Sequence, residues 1–162
     1  MEEPVGGPLV VAFVPAAVNR PLRREVLRPH LGPEAAVYPG DDDPRAGHVA
    51  ATEGGIVLAV GSVLPEAPGW APAGWRVRGM ATVARRRGEG IAGAVLALLL
   101  AHVTTHGGDL VWCNARIPAR RLYERAGFEG RGEVFDLPGI GPHVVMWRAV
   151  PAGESIPGVG SQ

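Results

Sequence analysis

The chain has 162 residues, 46% hydrophobic and 20% charged, which suits one domain with a sizeable core and argues against wholesale disorder. Its 16 basic and 16 acidic residues cancel, which removes the electrostatic footprint of a dedicated nucleic-acid-binding domain. All basic residues are Arg, so a Walker-type phosphate loop and Schiff-base Lys chemistry are excluded; the single Cys113 excludes an intrachain disulfide framework and a Cys-rich zinc site.

Met1–Pro8 carries two acids and no basic residue, unlike a secretory leader, and is expected to be a flexible tail. Leu9–Val14 is an apolar run suited to a buried strand. Asn19-Arg20-Pro21 offers a cap with Pro in the first turn, predicting a helix over Pro21–Arg28 that Pro29 ends. Leu31–Asp43 reads as a loop containing three consecutive acids, Asp41, Asp42 and Asp43. His48–Thr52 and Ile56–Leu64 form a hairpin around Glu53-Gly54-Gly55, and Trp75–Val83 follows as a further strand after the Pro-rich Pro65–Gly74.

Gly88 to Thr105 is the longest helix candidate, stopped by Gly107-Gly108. Its most apolar stretch, Ile91–Val103, is shorter than the ~20 residues of a membrane span and contains Gly93 and His102. A soluble cytoplasmic protein is expected. Asp109–Cys113 (strand), Pro118–Ala126 (helix), and the strands Phe128–Phe135 and His143–Val150 complete the order β-α-β-β-β-α-β-α-β-β. Hairpins mixed with crossovers predict an α+β domain over residues 9–150, with a second tail over Pro151–Gln162.

The segment Arg85-Arg86-Arg87-Gly88-Glu89-Gly90-Ile91-Ala92 carries the most chemistry. It follows a predicted strand and opens the longest helix, where about four backbone N–H groups lack partners and the helix dipole is positive. Gly88 and Gly90 let a phosphate approach the backbone, Ala92 is small, and the three arginines add charge, so a diphosphate is a natural guest. The same residues also suit a plain strand-to-helix turn with solvated arginines.

Val83-x-x-x-Arg87-x-x-Gly90-x-Ala92 resembles the R/Q-x-x-G-x-G/A motif of the GCN5-related N-acetyltransferase superfamily. About thirty residues on, Ala119 with Leu122-Tyr123 and Gly127-Phe128 resembles that family's A-x-x-(F/L)-Y-x-x-x-G-F segment. The resemblance is best over Trp75–Val150. It implies a mixed, mostly antiparallel central sheet with flanking helices, and acetyl-coenzyme A lying where two central strands splay apart. It further implies backbone contacts from Val83 and from Arg87, Gly88, Glu89, Gly90, Ile91 and Ala92. Tyr123 stands where many members carry the general acid for the departing thiolate, although a packing role on its helix is open too. Members often place Asn seven residues before that Tyr; here that position is Arg116, and Asn114 lies two residues earlier as the candidate cofactor contact.

No general base follows from spacing. Glu66, His48, His143 and the Asp41–Asp43 cluster are candidates, each equally readable as a loop residue, with the three acids also a possible contact for a substrate amine. Cys113 reads as a core residue. His102 and His106, four apart on a helix, lack a third ligand in sequence, so no metal is expected. Trp70, Trp75, Trp112 and Trp147 read as packing or cleft walls. Together these features predict an acetyl-coenzyme A-dependent N-acetyltransferase acting on a small-molecule or peptide amine in a ternary complex. The expected partners include no nucleic acid and no membrane, and a homodimer is the default assembly. The alternatives are a non-catalytic acyl-coenzyme A sensor on the same fold, and a generic nucleotide-binding protein, which the missing Lys disfavours.

Overall fold

The computed structural model describes residues 7–150, so nearly all of the two expected tails, Met1–Pro8 and Pro151–Gln162, lies outside the described residues. The elements follow the expected order: β1 (Leu9–Phe13), α1 (Ala16–Leu27), β2 (Gly47–Glu53), β3 (Ile56–Pro65), β4 (Trp75–Thr82), α2 (Ile91–Thr105), β5 (Leu110–Arg116), α3 (Arg120–Arg125), β6 (Glu129–Leu137) and β7 (Gly141–Ala149). The strands form one seven-stranded sheet in the order β1-β2-β3-β4-β5-β7-β6. Every neighbouring pair is antiparallel except β4 and β5, which run parallel. The fold is therefore α+β with a mostly antiparallel sheet, as expected.

Successive residues of a strand point to opposite faces, and β3 shows what covers each. A Cβ on Gly61 would run into Met80, Leu99 and Val95, so the α2 side of the core lies there. The neighbouring Ser62 Oγ instead accepts hydrogen bonds from Arg23 (2.8 Å) and Asn19 (3.3 Å) of α1. Helices α1 and α2 thus cover opposite faces. On α2, Ile91, Val95, Leu96, Leu99 and Val103 form the buried stripe of a helix whose other positions are also mostly apolar. The helix ends where Gly107 turns left-handed (φ 75°), with Gly108 N–H donating to Val103 O and Gly107 N–H to Thr104 O.

Helix α1 starts five residues earlier than the sequence predicts and runs through Pro21. Asn19 is not its cap; it is wholly buried, and its Nδ2 donates to Gly61 O at 3.0 Å. An interior Pro costs a helix about 3 kcal/mol. The hydrogen bonds that Asn19 and Arg23, one turn apart on the sheet-facing side, make with β3 offset that cost. Arg23, also fully buried, grips Asp41 with two bonds of 2.7 and 3.0 Å and donates to Ala36 O at 2.9 Å. His48 closes the cluster, Nδ1 to Ser62 Oγ (2.7 Å) and Nε2 to Asp41 O (3.0 Å).

Between β3 and β4 the register slips by one residue beside Gly61, so that Gly79 and Met80 together oppose it. Gly79 adopts φ 64°, and a Cβ there would stand 2.8 Å from Arg23 Nε and 3.1 Å from the Tyr38 ring. Only glycine serves at that bulge, for conformation and for space.

Candidate active-site cleft

Strands β4 and β5 pair only at Trp75↔Val111 and Arg76↔Trp112. Beyond Arg76 they separate, leaving the β5-facing edge of β4 without a strand partner. A row of main-chain donors and acceptors is thereby exposed to a cleft of ≈ 630 Å³. Its walls come from α1 and the following loop (Arg28, Tyr38), from β4, and from β5 and α3 (Asn114, Arg116, Tyr123), with His143 on β7.

At one end stands the start of α2. A short turn, Ala84–Arg86, leads into Gly88 (φ 81°) and Gly90 (φ 84°), both left-handed. The helix consequently begins at Ile91 rather than at Gly88. The amides of Gly88, Glu89, Gly90, Ile91, Ala92 and Gly93 donate to no backbone acceptor among the described residues, since the first bond into this helix is Ala94 N–H to Gly90 O. No neighbouring atom lies within 4 Å of a Cβ placed on Gly88, Gly90 or Gly93, so the concavity is open. Such a row of amides at a helix start is complementary to a diphosphate.

The three arginines before the turn divide. Arg86 is held by Glu53 (2.8 Å) and by Glu89 (2.9 Å), which push its guanidinium pKa up; it is braced, not free. Arg85 is exposed and outside the cleft, whereas Arg87 lines it. Val83 does not line the cleft, and its backbone is engaged: N–H donates to Leu58 O at 2.9 Å and C=O accepts Arg86 N–H at 3.0 Å. It ties the end of β4 down. The Glu89 side chain is likewise spent on Arg86, leaving only its amide toward the turn.

Tyr123 lines the cleft yet is 5% exposed, edge-on to Phe128 with ring centroids 5.5 Å apart. Burial raises its phenol pKa well above the usual value, and the adjacent Cys113 thiol adds to the shift. Cys113 is itself buried in the core, its thiol pushed up to about 12 by the same desolvation. A phenol so placed stays protonated, as a proton donor must. The helix that carries it is fixed by Gly127 (φ 90°), with Phe128 N–H donating to Tyr123 O and Gly127 N–H to Glu124 O.

Among the base candidates only His143 lines the cleft. It sits on β7 directly opposite Arg116 of β5, and its Nδ1 lies 2.8 Å from Gly141 O. A carbonyl only accepts, so Nδ1 carries the hydrogen and the neutral ring leaves Nε2 as the acceptor. Glu66 pairs with Arg76 at 3.0 Å, and His48 and Asp41 belong to the buried cluster behind the cleft. Asp43 is tied to Arg45 at 2.9 Å, and Asp42 is 96% exposed at the surface. Of the two readings open for these acids, the fold leaves the amine contact unavailable: none of the three lines the cleft.

The tryptophans do not wall the cleft. Trp70 packs edge-on against Trp147, Trp75 against His102, and Trp112 Nε1 donates to Glu66 O at 2.8 Å. His102 Nε2 is bonded to Arg45 O and His106 Nδ1 to His102 O, and no cluster of three metal-ligating side chains occurs among the described residues. None of the described helices is long and apolar enough to cross a membrane.

Three features of the site escaped sequence reasoning: Tyr38, Arg78 and Arg28. The Tyr38 ring carries the guanidiniums of Arg23 (4.1 Å to the ring centroid) and Arg78 (4.4 Å) over it. No local pattern signals it, because the contact joins a loop, a helix and a strand.

The sequence profile of the acetyltransferase (GNAT) family matches residues 19–128. A relative from Bacillus subtilis (strain 168), the uncharacterized N-acetyltransferase YitI, is 33% identical over 132 residues, covering 80% of this chain and 88% of that protein. Among solved structures, a GCN5-related N-acetyltransferase from Kribbella flavida is similar (TM-score 0.68, 21% identity), with 88% of this chain and 98% of that one covered. Escherichia coli ElaA superposes at a TM-score of 0.72 with 18% identity, over 87% and 99% of the two chains. An aminoglycoside 6'-N-acetyltransferase complexed with coenzyme A superposes at 0.70 with 14% identity, over 90% and 99%.

Proposed function

The chain belongs to the acetyltransferase (GNAT) family and is an N-acetyltransferase, and on that premise we propose that it moves an acetyl group from acetyl-coenzyme A to an amine by direct attack in a ternary complex. The observation that carries this reading is the row of unpartnered amides from Gly88 to Gly93 at the end of a cleft opened by the splayed strands β4 and β5. Those amides and Arg87 hold the diphosphate. Acetyl-coenzyme A supplies the activated acyl group.

The remaining work falls to side chains of the cleft. The free edge of β4 beyond Arg76 hydrogen-bonds the amide-bearing arm of the coenzyme, much as a strand would be added to it. Asn114 faces that arm from β5. His143 Nε2 takes the proton that the amine gives up as its nitrogen bonds to the acyl carbon. As the carbon–sulfur bond breaks, Tyr123 gives its proton to the departing thiolate. Val83 acts only by fixing the end of β4.

A thermal-shift titration with acetyl-coenzyme A, coenzyme A and ATP tests the binding half. A ligand at about one hundred times its Kd stabilises the fold by roughly 2.7 kcal/mol, and the two coenzyme forms should do so where ATP does not. Thiol release across a panel of amines tests the transfer. Stabilisation without release from any amine would contradict it.

A further inference from the structure

Among the described residues, eight arginines line the cleft, and no Asp or Glu does. Two of the eight are neutralised within the protein: Arg76 by Glu66, and Arg86 by Glu53 and Glu89. Of the others, Arg87 adjoins the amide row, and Arg121 and Arg125 lie one turn apart on α3. Arg28, Arg78 and Arg116 remain, and none of the three has a carboxylate within salt-bridge distance among the described residues.

These three gather on the α1 face of the sheet. Arg78 pairs with Ser62 in the β3–β4 ladder, on the face that Arg23 occupies, and lies over the Tyr38 ring. Arg116 Nη2 reaches Leu27 O at 3.0 Å, at the end of α1 next to Arg28. The Arg28 Nε is buried without a hydrogen-bond partner among the described residues. Burial lowers the pKa of both Arg78 and Arg116, and the charge of Arg28 lowers each further. Like charges held together and partly out of water, with donors left over, call for an anion.

The coenzyme's diphosphate does not meet that need at Arg78. The strand rises about 3.3 Å per residue, so Arg78 lies roughly 13 Å before the end of β4, with the whole turn to Gly88 still beyond it. Arg116, the last residue of β5, also feels the charge of Arg87. Arg28 and Arg78 gather at the Tyr38 ring, in a part of the cleft that the diphosphate leaves free for an acceptor.

We infer that the acceptor is an amine that also carries an anionic group, a carboxylate or a phosphate, and that Arg28 and Arg78, with Arg116 behind them, bind that group. This rests on the transferase reading above. The cluster would hold the anion while its amine is presented to His143, and it would repel polyamines and other purely cationic acceptors. Tyr38 contributes by holding the Arg78 guanidinium over its ring, a placement in turn fixed by Arg23 and Asp41.

The test measures kcat/KM by thiol release for matched acceptors: an amino acid, its neutral amide, the amine lacking the carboxyl group, a phosphate-bearing amine and a polyamine. The expected result is at least a tenfold preference for an anionic member over its neutral partner, with the polyamine poorest. Whether the carboxylate or the phosphate arm leads identifies the anion. Arg78→Gln and, separately, Arg28→Gln should raise KM for the anionic amine and narrow the preference, while the Kd of coenzyme A holds. Two variants guard against one that fails to fold.

Equal or better use of neutral or cationic acceptors overturns the inference. So does a loss of coenzyme affinity in Arg78→Gln, which would assign the cluster to the coenzyme. If no amine releases thiol, the transferase reading fails, and the subsite is then judged by direct binding. An N-acetylamino acid should bind the coenzyme A-loaded chain at least tenfold tighter than its neutral amide; equal binding of the two overturns the subsite as well.

Discussion

Arg116 and His143 face each other directly across the β5–β7 ladder, so both side chains leave the same face of the sheet and enter the cleft together. A hydrogen-bonded ladder, rather than a loop, therefore sets where the proposed base stands relative to the arginines proposed to bind an anion. His143→Ala is expected to lower kcat by about 10²- to 10⁴-fold, the usual worth of a positioned base, with little change in coenzyme affinity. Added imidazole should restore part of the rate. A variant with unaltered kcat would remove the role.

Tyr123 provides the second kinetic prediction. Its phenol is held above the ordinary value of about 10, first by burial and then by Cys113, so it remains a proton donor across the neutral and mildly alkaline range. Tyr123→Phe should reduce kcat while the KM for acetyl-coenzyme A stays near wild type. The sign of the shift also predicts alkali sensitivity. Above pH ~10 the unfolded chain releases this proton and the folded chain keeps it, so stability falls as pH rises, and Tyr123→Phe should flatten that slope in denaturant titrations.

The Arg23–Asp41 pair predicts the opposite pH response. Burial alone would raise the Asp41 pKa, but the Arg23 guanidinium and the Tyr38 amide outweigh it and hold the carboxyl below its usual 3.8. Its contribution is complete above pH 3.8 and is lost as pH falls from there through the lowered folded value. Asp41→Asn leaves the fully buried Arg23 uncompensated and should cost about 3–5 kcal/mol in equilibrium unfolding, with weaker acid dependence. A loss under 1 kcal/mol would contradict this account of the pair.

Gly90 in the turn and Gly93 in the first turn of α2 separate conformation from propensity. Gly90 adopts φ 84°, so Gly90→Ala strains the backbone by about 1–2 kcal/mol although its Cβ would meet nothing. If the loop relaxes to relieve that strain, coenzyme A should bind roughly 5- to 30-fold more weakly. Gly93 sits in ordinary helical backbone with open space around it, so Gly93→Ala should stabilise the fold by up to about 1 kcal/mol. Tm and titration calorimetry on both variants check the contrast.

Most of the fold was legible because its signals are local. Glycines mark the turns after α2 and α3, the hairpin at Glu53-Gly54-Gly55 joins β2 to β3, and the apolar run of Ile91–Val103 becomes the buried stripe of α2. The start of α1 was misread because Asn19 looks like a cap, while bonds to Gly61 and Ser62, more than forty residues away, decide its place. The glycine turn with its open amides was readable between Arg87 and Ala92 because a helix start needs no tertiary partner to expose its amides. The other half of the cleft was not. His143 could be named as a candidate but not chosen, and Arg78 and Arg28 not named at all, because only the sheet order and the α1 packing bring them together.

Amide resonances of Gly88 through Gly93, followed during titration with coenzyme A and in parallel with pantetheine, report whether these groups hold the diphosphate. Coenzyme A should move these six signals downfield as the diphosphate accepts their hydrogens, while pantetheine, which lacks the diphosphate, should perturb β4 and leave them in place. Saturation by coenzyme A with the six signals unmoved would contradict the account.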